Sequence, residues 1–282
     1  MNSSLLDPNQ GVRCSIESSN IAQTPKSSKQ LNTTYQTIIF IDLDGTLQLN
    51  PFETAVWPQV IGEMAQKSGL LAADILQMIE DENDARQRDD NVPAIMAMDM
   101  DDISLTVAQR LGVSITTNVT ELVNTYAKSH SSLLDYALES LQELAAPHRA
   151  IVIATKGLAK YQLQVMDALG ITPLVTDTLT PDTHNGLKKH RHFFGEWPQR
   201  AKLSIMVGDL YDDDVLYPSG HGFKTLWKPR ATLIPNSLYH LDPFTRAQEY
   251  PYTAQQTVHP TAILLSLREL PATVTYMEQN CP

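Results

Sequence analysis

The stretch Thr37-Ile38-Ile39-Phe40-Ile41-Asp42-Leu43-Asp44-Gly45-Thr46 joins an unbroken β-branched and aromatic run to two carboxylates. A strand with one wet face would alternate apolar and polar residues. This run does not, so it suits a strand covered on both faces, as in a parallel sheet. Asp42 and Asp44 fall at i and i+2, just past the carboxyl end of that strand, where open α/β sheets place their chemistry. If the backbone stays extended there, both side chains leave one face, and Gly45 permits the turn that follows. An acidic turn without chemistry is the alternative, because Asp-Gly is a common turn pair.

Working outward, residues 1–35 are rich in Ser, Asn, Gln and Thr and have no sustained apolar period. They read as a flexible tail that buries too little surface to offset its ordering entropy. Between Phe52 and Ala146 the pattern turns helical, with apolar residues at three- and four-residue spacing in four or five short segments and no strand between them. Asp102 reads as an N-cap and Gly112 as a helix stop. After Pro147 the alternation is strand, helix, strand: strands at 150–155, 174–179, 202–209 and 223–227, and a helix ending at Gly170. Residues 231–256 read as an irregular excursion and 260–270 as a closing amphipathic helix. The expected fold class is α/β, a doubly wound parallel sheet interrupted after its first strand by an all-helical insertion. The boundaries are 1–35 for the tail, 36–49 and 146–282 for the sheet domain, and 50–145 for the insertion.

Two further strand ends carry chemistry. Ile151-Val152-Ile153-Ala154-Thr155-Lys156-Gly157 ends on a hydroxyl that, with the turn's N–H groups, could hold a phosphoryl oxygen; Thr155 could equally cap the next helix. Ile205-Met206-Val207-Gly208-Asp209-Leu210-Tyr211-Asp212-Asp213-Asp214 delivers four acids within six positions. Like charges so dense are costly unless a cation neutralises them, and carboxylates from separate strand ends are hard ligands suited to Mg²⁺. Between these sites, Lys188 and Lys189 could each neutralise a phosphate or a carboxylate.

Composition narrows the classes. The net charge is −11, and residues 49–145 hold 16 acids against 5 bases, so the excess sits in the helical block. That balance argues against nucleic acid, which needs a basic face. No apolar run approaches the ~18–20 residues that span a bilayer, and the N-terminus lacks a secretory pattern. Cys14 and Cys281 are too few for a disulfide framework, so a cytoplasmic protein is expected, and no protein partner can be named.

Taken together, D-x-D-G-T, then strand–Thr, then Lys, then G-D-x-x-x-D-D resembles the haloacid dehalogenase-like hydrolase superfamily over roughly residues 37–230. The helical block resembles that superfamily's cap domain. The resemblance implies Mg²⁺-dependent phosphoryl transfer on a small phosphorylated metabolite. In it Asp42 is the nucleophile and Asp44 the general acid and base, while Thr155 and Lys188 bind phosphoryl oxygens. Asp42, Asp209 and the backbone carbonyl of Asp44 hold the metal, and Asp214, or alternatively Asp213, is the supporting acid. The family's lysine is often followed by Pro, which Lys188 is not, and Lys189 is the alternative. Dehalogenase members lack an acid at the position of Asp44, so a phosphatase is expected. A mutase, a phosphonatase using Lys67, or a binding relative with little catalysis are the alternatives. Trp57, Trp197 and Trp227 read as packing residues, Met96–Met100 as insertion core or hinge surface, and the histidines receive no role. An acidic insertion over such a site favours one phosphate on a neutral or cationic body, unless its acids merely face solvent.

Overall fold

The apolar run around Phe40 is β1 (Tyr35–Ile41), the third strand of a six-stranded sheet. The structure is a computed structural model that describes residues 33–280. Most of the tail expected over 1–35, and both cysteines, therefore lie outside the described residues, while Tyr35 already belongs to β1. The other strands of the sheet are β4 (Arg149–Ala154), β5 (Asp177–Leu179), β6 (Ala201–Gly208), β7 (Lys224–Trp227) and β8 (Ala262–Ile263). Their order is β5-β4-β1-β6-β7-β8 and every pairing is parallel. Ile39 of β1 pairs with Ile151 on one side and Ile205 on the other.

The unbroken apolar run has a simple cause. Ile39 and Ile41 face a core completed by α6 (Ala137–Leu144) and α11 (Leu270–Asn280). Ile38 and Phe40 face the opposite core with Phe193, Phe194 and Trp197. Both faces are covered, so neither can be polar.

The insertion holds α1 (Trp57–Ser68), α2 (Ala72–Arg88), α3 (Ala94–Ala97), α4 (Met100–Arg110) and α5 (Val119–Tyr126). Ile75, Ile79, Val107 and Val123 share a core with Leu158, Tyr161 and Val165, so the insertion rests on α7 (Ala159–Leu169) of the sheet domain. The remaining short helices are α8 (Pro181–His184), α9 (Tyr217–Gly220) and α10 (Pro243–Glu249). Among the described residues no helix is long and apolar enough to cross a membrane.

Several expectations need correction. The insertion is not purely helical, since β3 (Ser132–Leu133) pairs antiparallel with β2 (Gln48–Leu49) just after the first motif. Asp99, not Asp102, caps α4, accepting from the amides of Asp101 and Asp102; Asp102 instead pairs with Arg86 at 2.6 Å. The strand expected at 174–179 shrinks to β5, because Pro173 opens a 3₁₀ turn over Thr172–Leu174. Residues 260–270 are not a helix. Ala262 and Ile263 are fully buried on the sheet edge, Ser266 caps a 3₁₀ turn, and α11 begins only at Leu270. Apolar spacing in so short a run does not separate strand from helix. The 231–256 stretch is not irregular throughout, for it contains α10. There the buried Arg246 bonds the carbonyls of Leu238, Leu241 and Ile263 and pairs with Glu269 at 3.0 Å.

Candidate active site

The chain runs from β1 leftward to β4 and β5, then crosses to β6, β7 and β8 on the other side. The crevice at the carboxyl ends of β1 and β6 is therefore the switch point of the sheet, where the connections leave to opposite sides. Register brings the motifs together there. Ile41 pairs with Val207 and with Ile153, so Asp42, Asp209 and Thr155 all leave neighbouring strands within two residues of one level.

Asp42 is 8% exposed and is held from two sides. Lys188 Nζ donates to its Oδ1 at 2.5 Å, and Thr46 Oγ1 donates to its Oδ2 at 3.2 Å. The same ammonium donates to Asp214 Oδ1 at 2.8 Å, while the Leu210 amide donates to Asp214 Oδ2 at 2.9 Å. Lys188 and Asp214 are buried to 1% and 0% exposure, so both ionisable groups are withdrawn from bulk solvent. Burial works to lower the Lys188 pKa, but the adjacent Asp214 and Asp42 carboxylates override it and hold the ammonium above its ordinary value. Burial pushes the Asp214 carboxyl up, against the pull of Lys188. A π-helical turn over Asp212–Leu216 aims Asp214 inward. Asp213 points elsewhere and pairs with Lys156 at 2.7 Å.

Asp42, Asp209 and Asp214 offer carboxylate oxygens within 4.8 Å of one another. Asp209 Oδ1 is buried and has no hydrogen-bond partner among the described residues, and burial, then Asp42, raise its pKa to about 6. A buried, unpaired carboxylate oxygen beside two more acids is a costly arrangement that a cation relieves. The donor set is all oxygen, so it fits a hard divalent ion. The backbone comes close as well. A Cβ on Gly45, at φ +83°, would lie 2.5 Å from Asp209 Oδ2, and one on Gly208 would lie 2.1 Å from Asp214 Oδ2.

Asp44 stands apart from that set. Its Oδ1 accepts from Gln48 Nε2 at 3.1 Å and its Oδ2 from Gln162 Nε2 at 2.6 Å. Burial raises its pKa above the ordinary range although both amides pull it down. Gln48 and Gln162 are thus site residues that sequence reasoning missed. Gln48 had a weak signal, four residues beyond Asp44, whereas Gln162 sits on α7, 118 residues away, with none. Thr155 is 2% exposed and its Oγ1 accepts from the Gly157 amide at 3.1 Å. It does not cap α7, whose N-cap is Leu158.

Other candidates lie outside this constellation. Lys189 donates to Asp90 at 2.6 Å and to the Gln87 carbonyl. Lys67 donates to Glu63 and to the Ser114 carbonyl, and it does not line the active-site cavity. Trp197 and Trp227 are packing residues, but Trp57, Met98 and Met100 line the cavity above Asp42 and Asp44. His190 and His192 stack on each other at 5.2 Å, and neither lines the active-site cavity.

No family model matches the sequence, and no curated protein matches it. Solved structures do. A HAD phosphatase from Thermococcus onnurineus is 18% identical with a TM-score of 0.62, the match covering 85% of this chain and 97% of that one. A Bacillus subtilis HAD-hydrolase structure bound to magnesium is 15% identical with a TM-score of 0.55, covering 86% and 99%. The L-2-haloacid dehalogenase from Xanthobacter autotrophicus, with chloropropionic acid covalently bound, is 15% identical with a TM-score of 0.56, covering 86% and 99%. Phosphatases and dehalogenases alike share the architecture. The fold of this chain is that of the haloacid dehalogenase-like superfamily.

Proposed function

We propose that this chain is a Mg²⁺-dependent phosphatase that hydrolyses a small phosphate monoester through a phosphorylated Asp42. The observation that carries the reading is the Asp44 carboxyl, which faces the same cavity as Asp42 and is oriented by Gln48 and Gln162. An alkoxide leaving group needs a proton, and a halide does not, so an oriented acid beside the nucleophile favours phosphate esters over haloacids.

In the first step an Asp42 carboxylate oxygen attacks phosphorus, the ester P–O bond breaks, and the leaving alkoxide takes its proton from Asp44. Burial keeps Asp44 above the usual carboxylate range, which favours the protonated form this step uses. In the second step Asp44, now a carboxylate, takes a proton from water as that water attacks phosphorus, and phosphate leaves Asp42. In this reading Lys188 and Thr155 would bind phosphoryl oxygens, and the contact of Lys188 Nζ with Asp42 Oδ1 supports a role in orienting the nucleophile. Asp42 and Asp209, with the Asp44 carbonyl that the family resemblance implies, would hold Mg²⁺. The ion would offset phosphoryl charge as one anion approaches another.

The test is release of inorganic phosphate from a panel of phosphate monoesters with and without Mg²⁺, alongside Asp42→Asn and Asp44→Asn. Asp42→Asn is expected to lose activity by several orders of magnitude. Asp44→Asn is expected to lose roughly 10²–10⁴-fold in kcat on esters of poor leaving groups. Turnover that survives chelation or Asp42→Asn would sink the mechanism.

A further inference from the structure

We infer that the substrate is the phosphate monoester of an apolar, ring-sized alcohol bearing no second anionic group, and that Glu80 is the residue that turns second anions away. This rests on the phosphatase reading and narrows it. The cavity that opens onto Asp42 and Asp44 has a volume of about 310 Å³. Ligand sites run from ~300 to ~1,000 Å³, so this one takes a phosphoryl group and one compact body, not a nucleotide or a peptide.

The walls beyond the carboxylates are Phe52, Trp57, Leu76, Ile79, Met98 and Met100. Phe52 is the hub, packing on Trp57 at 5.2 Å and edge-on to Tyr161 at 5.7 Å. A π-helical turn over Phe52–Val56 sets it there, directly after the first motif. Most polar groups of the deeper wall are already committed, Asn50 among them, whose Oδ1 accepts from the Phe52 amide. Asn83 Nδ2 donates to the Ala97 carbonyl at 2.7 Å and its Oδ1 accepts from Gln87. The Tyr161 hydroxyl, with its single proton, lies 2.9 Å from Asp99 Oδ1 and 3.0 Å from Asp101 Oδ2 and accepts from the Asp101 amide, and Gln162 serves Asp44. Deeper than Glu80 at the rim, the hydroxyls of a sugar or glycerol body would leave water for a largely apolar wall, at a cost of about tenfold in affinity for each one left unpaired.

Charge points the same way. The cavity's lysine, Lys156, pairs with Asp213 at 2.7 Å and reaches Gln87. Glu80 lies at the exposed rim and makes no ion pair among the described residues. A second carboxylate or phosphate on the substrate would meet that glutamate, while Lys156, the one cation among the described lining residues, is already held by Asp213.

The experiment compares kcat/KM for phenyl phosphate, glycerol 1-phosphate and phosphoglycolate in the Mg²⁺-loaded enzyme, in Leu76→Asn and in Glu80→Lys. Phenyl phosphate should lead the other two by at least about tenfold. Leu76→Asn should lower the phenyl-to-glycerol ratio by about tenfold, and Glu80→Lys should raise relative turnover of phosphoglycolate by a similar factor. Calorimetric titration of Asp42→Asn with phenyl phosphate should give a negative heat-capacity change, the mark of apolar burial. Turnover led by glycerol 1-phosphate or phosphoglycolate overturns this inference and leaves the phosphatase reading standing. So do substrate ratios that neither variant moves. No turnover of any of the three overturns the phosphatase reading, and this inference falls with it.

Discussion

Lys188 stands between Asp42 and Asp214 with 1% exposure, and its position sets the terms for both. A buried ammonium flanked by two carboxylates is weak evidence for stability, since the desolvation of all three offsets much of their attraction. Removing one member is different, because it strands a charge. Lys188→Met is therefore expected to destabilise the fold by about 3–5 kcal/mol in denaturant unfolding. Lys188→Met combined with Asp214→Leu should restore most of that stability while leaving turnover abolished. Such a split would show that the buried pair is retained for the phosphoryl site and not for folding. Lys189 could not substitute, because its side chain leaves the opposite way to reach Asp90 at 2.6 Å.

Strands and turns decide where these side chains meet. Gly45 takes φ +83°, a left-handed conformation that strains any other residue, and its missing Cβ makes room for Asp209. Farther from the site, the first residue of β4 is tied to the last helix. Arg149 donates to both carboxylate oxygens of Glu278 at 2.8 and 2.6 Å, and both side chains are under a tenth exposed. Burial acts to raise the Glu278 pKa, but the Arg149 hydrogen bonds outweigh it, and the group sits below its ordinary 4.5. The folded state thus binds this proton less readily than the unfolded state. Its contribution to stability is full above about pH 4.5 and is lost as pH falls through the depressed folded value. Urea unfolding followed from neutral to acid pH should show that loss, and Glu278→Gln should be less stable at neutral pH and flatter across the acid range.

Across the whole molecule, the acidity of the insertion acquires a direction. Asp99 and Asp101 meet Lys160 of α7 at 2.8 and 3.0 Å, and Asp90 meets Lys189. Part of the charge thus faces lysines of the sheet domain, across the seam beside the cavity, while Glu80 stands at its rim. Attraction of this kind helps hold the insertion against the sheet domain, and salt weakens it. The Lys160→Met, Lys189→Met double variant should lose several-fold in kcat/KM at low ionic strength. The wild type should approach the same value as ionic strength rises from ~0.01 to ~1 M and the Debye length shrinks from ~30 to ~3 Å. A salt-independent gap between the two would refute this role of the ion pairs. Local patterns were enough to read the parallel sheet, the interrupting helices and the candidates Asp42, Asp44, Thr155 and Asp209, whereas the choice of Lys188 and Asp214 rested on the family resemblance. Buried strands are apolar throughout, and each acid or hydroxyl lies directly after such a run, so the evidence is contiguous in sequence. The short edge strand β8, the pairing of β2 with β3 and Gln162 beside Asp44 were not legible. Each is a contact between residues distant in the chain, and only the packed tertiary structure brings such residues together.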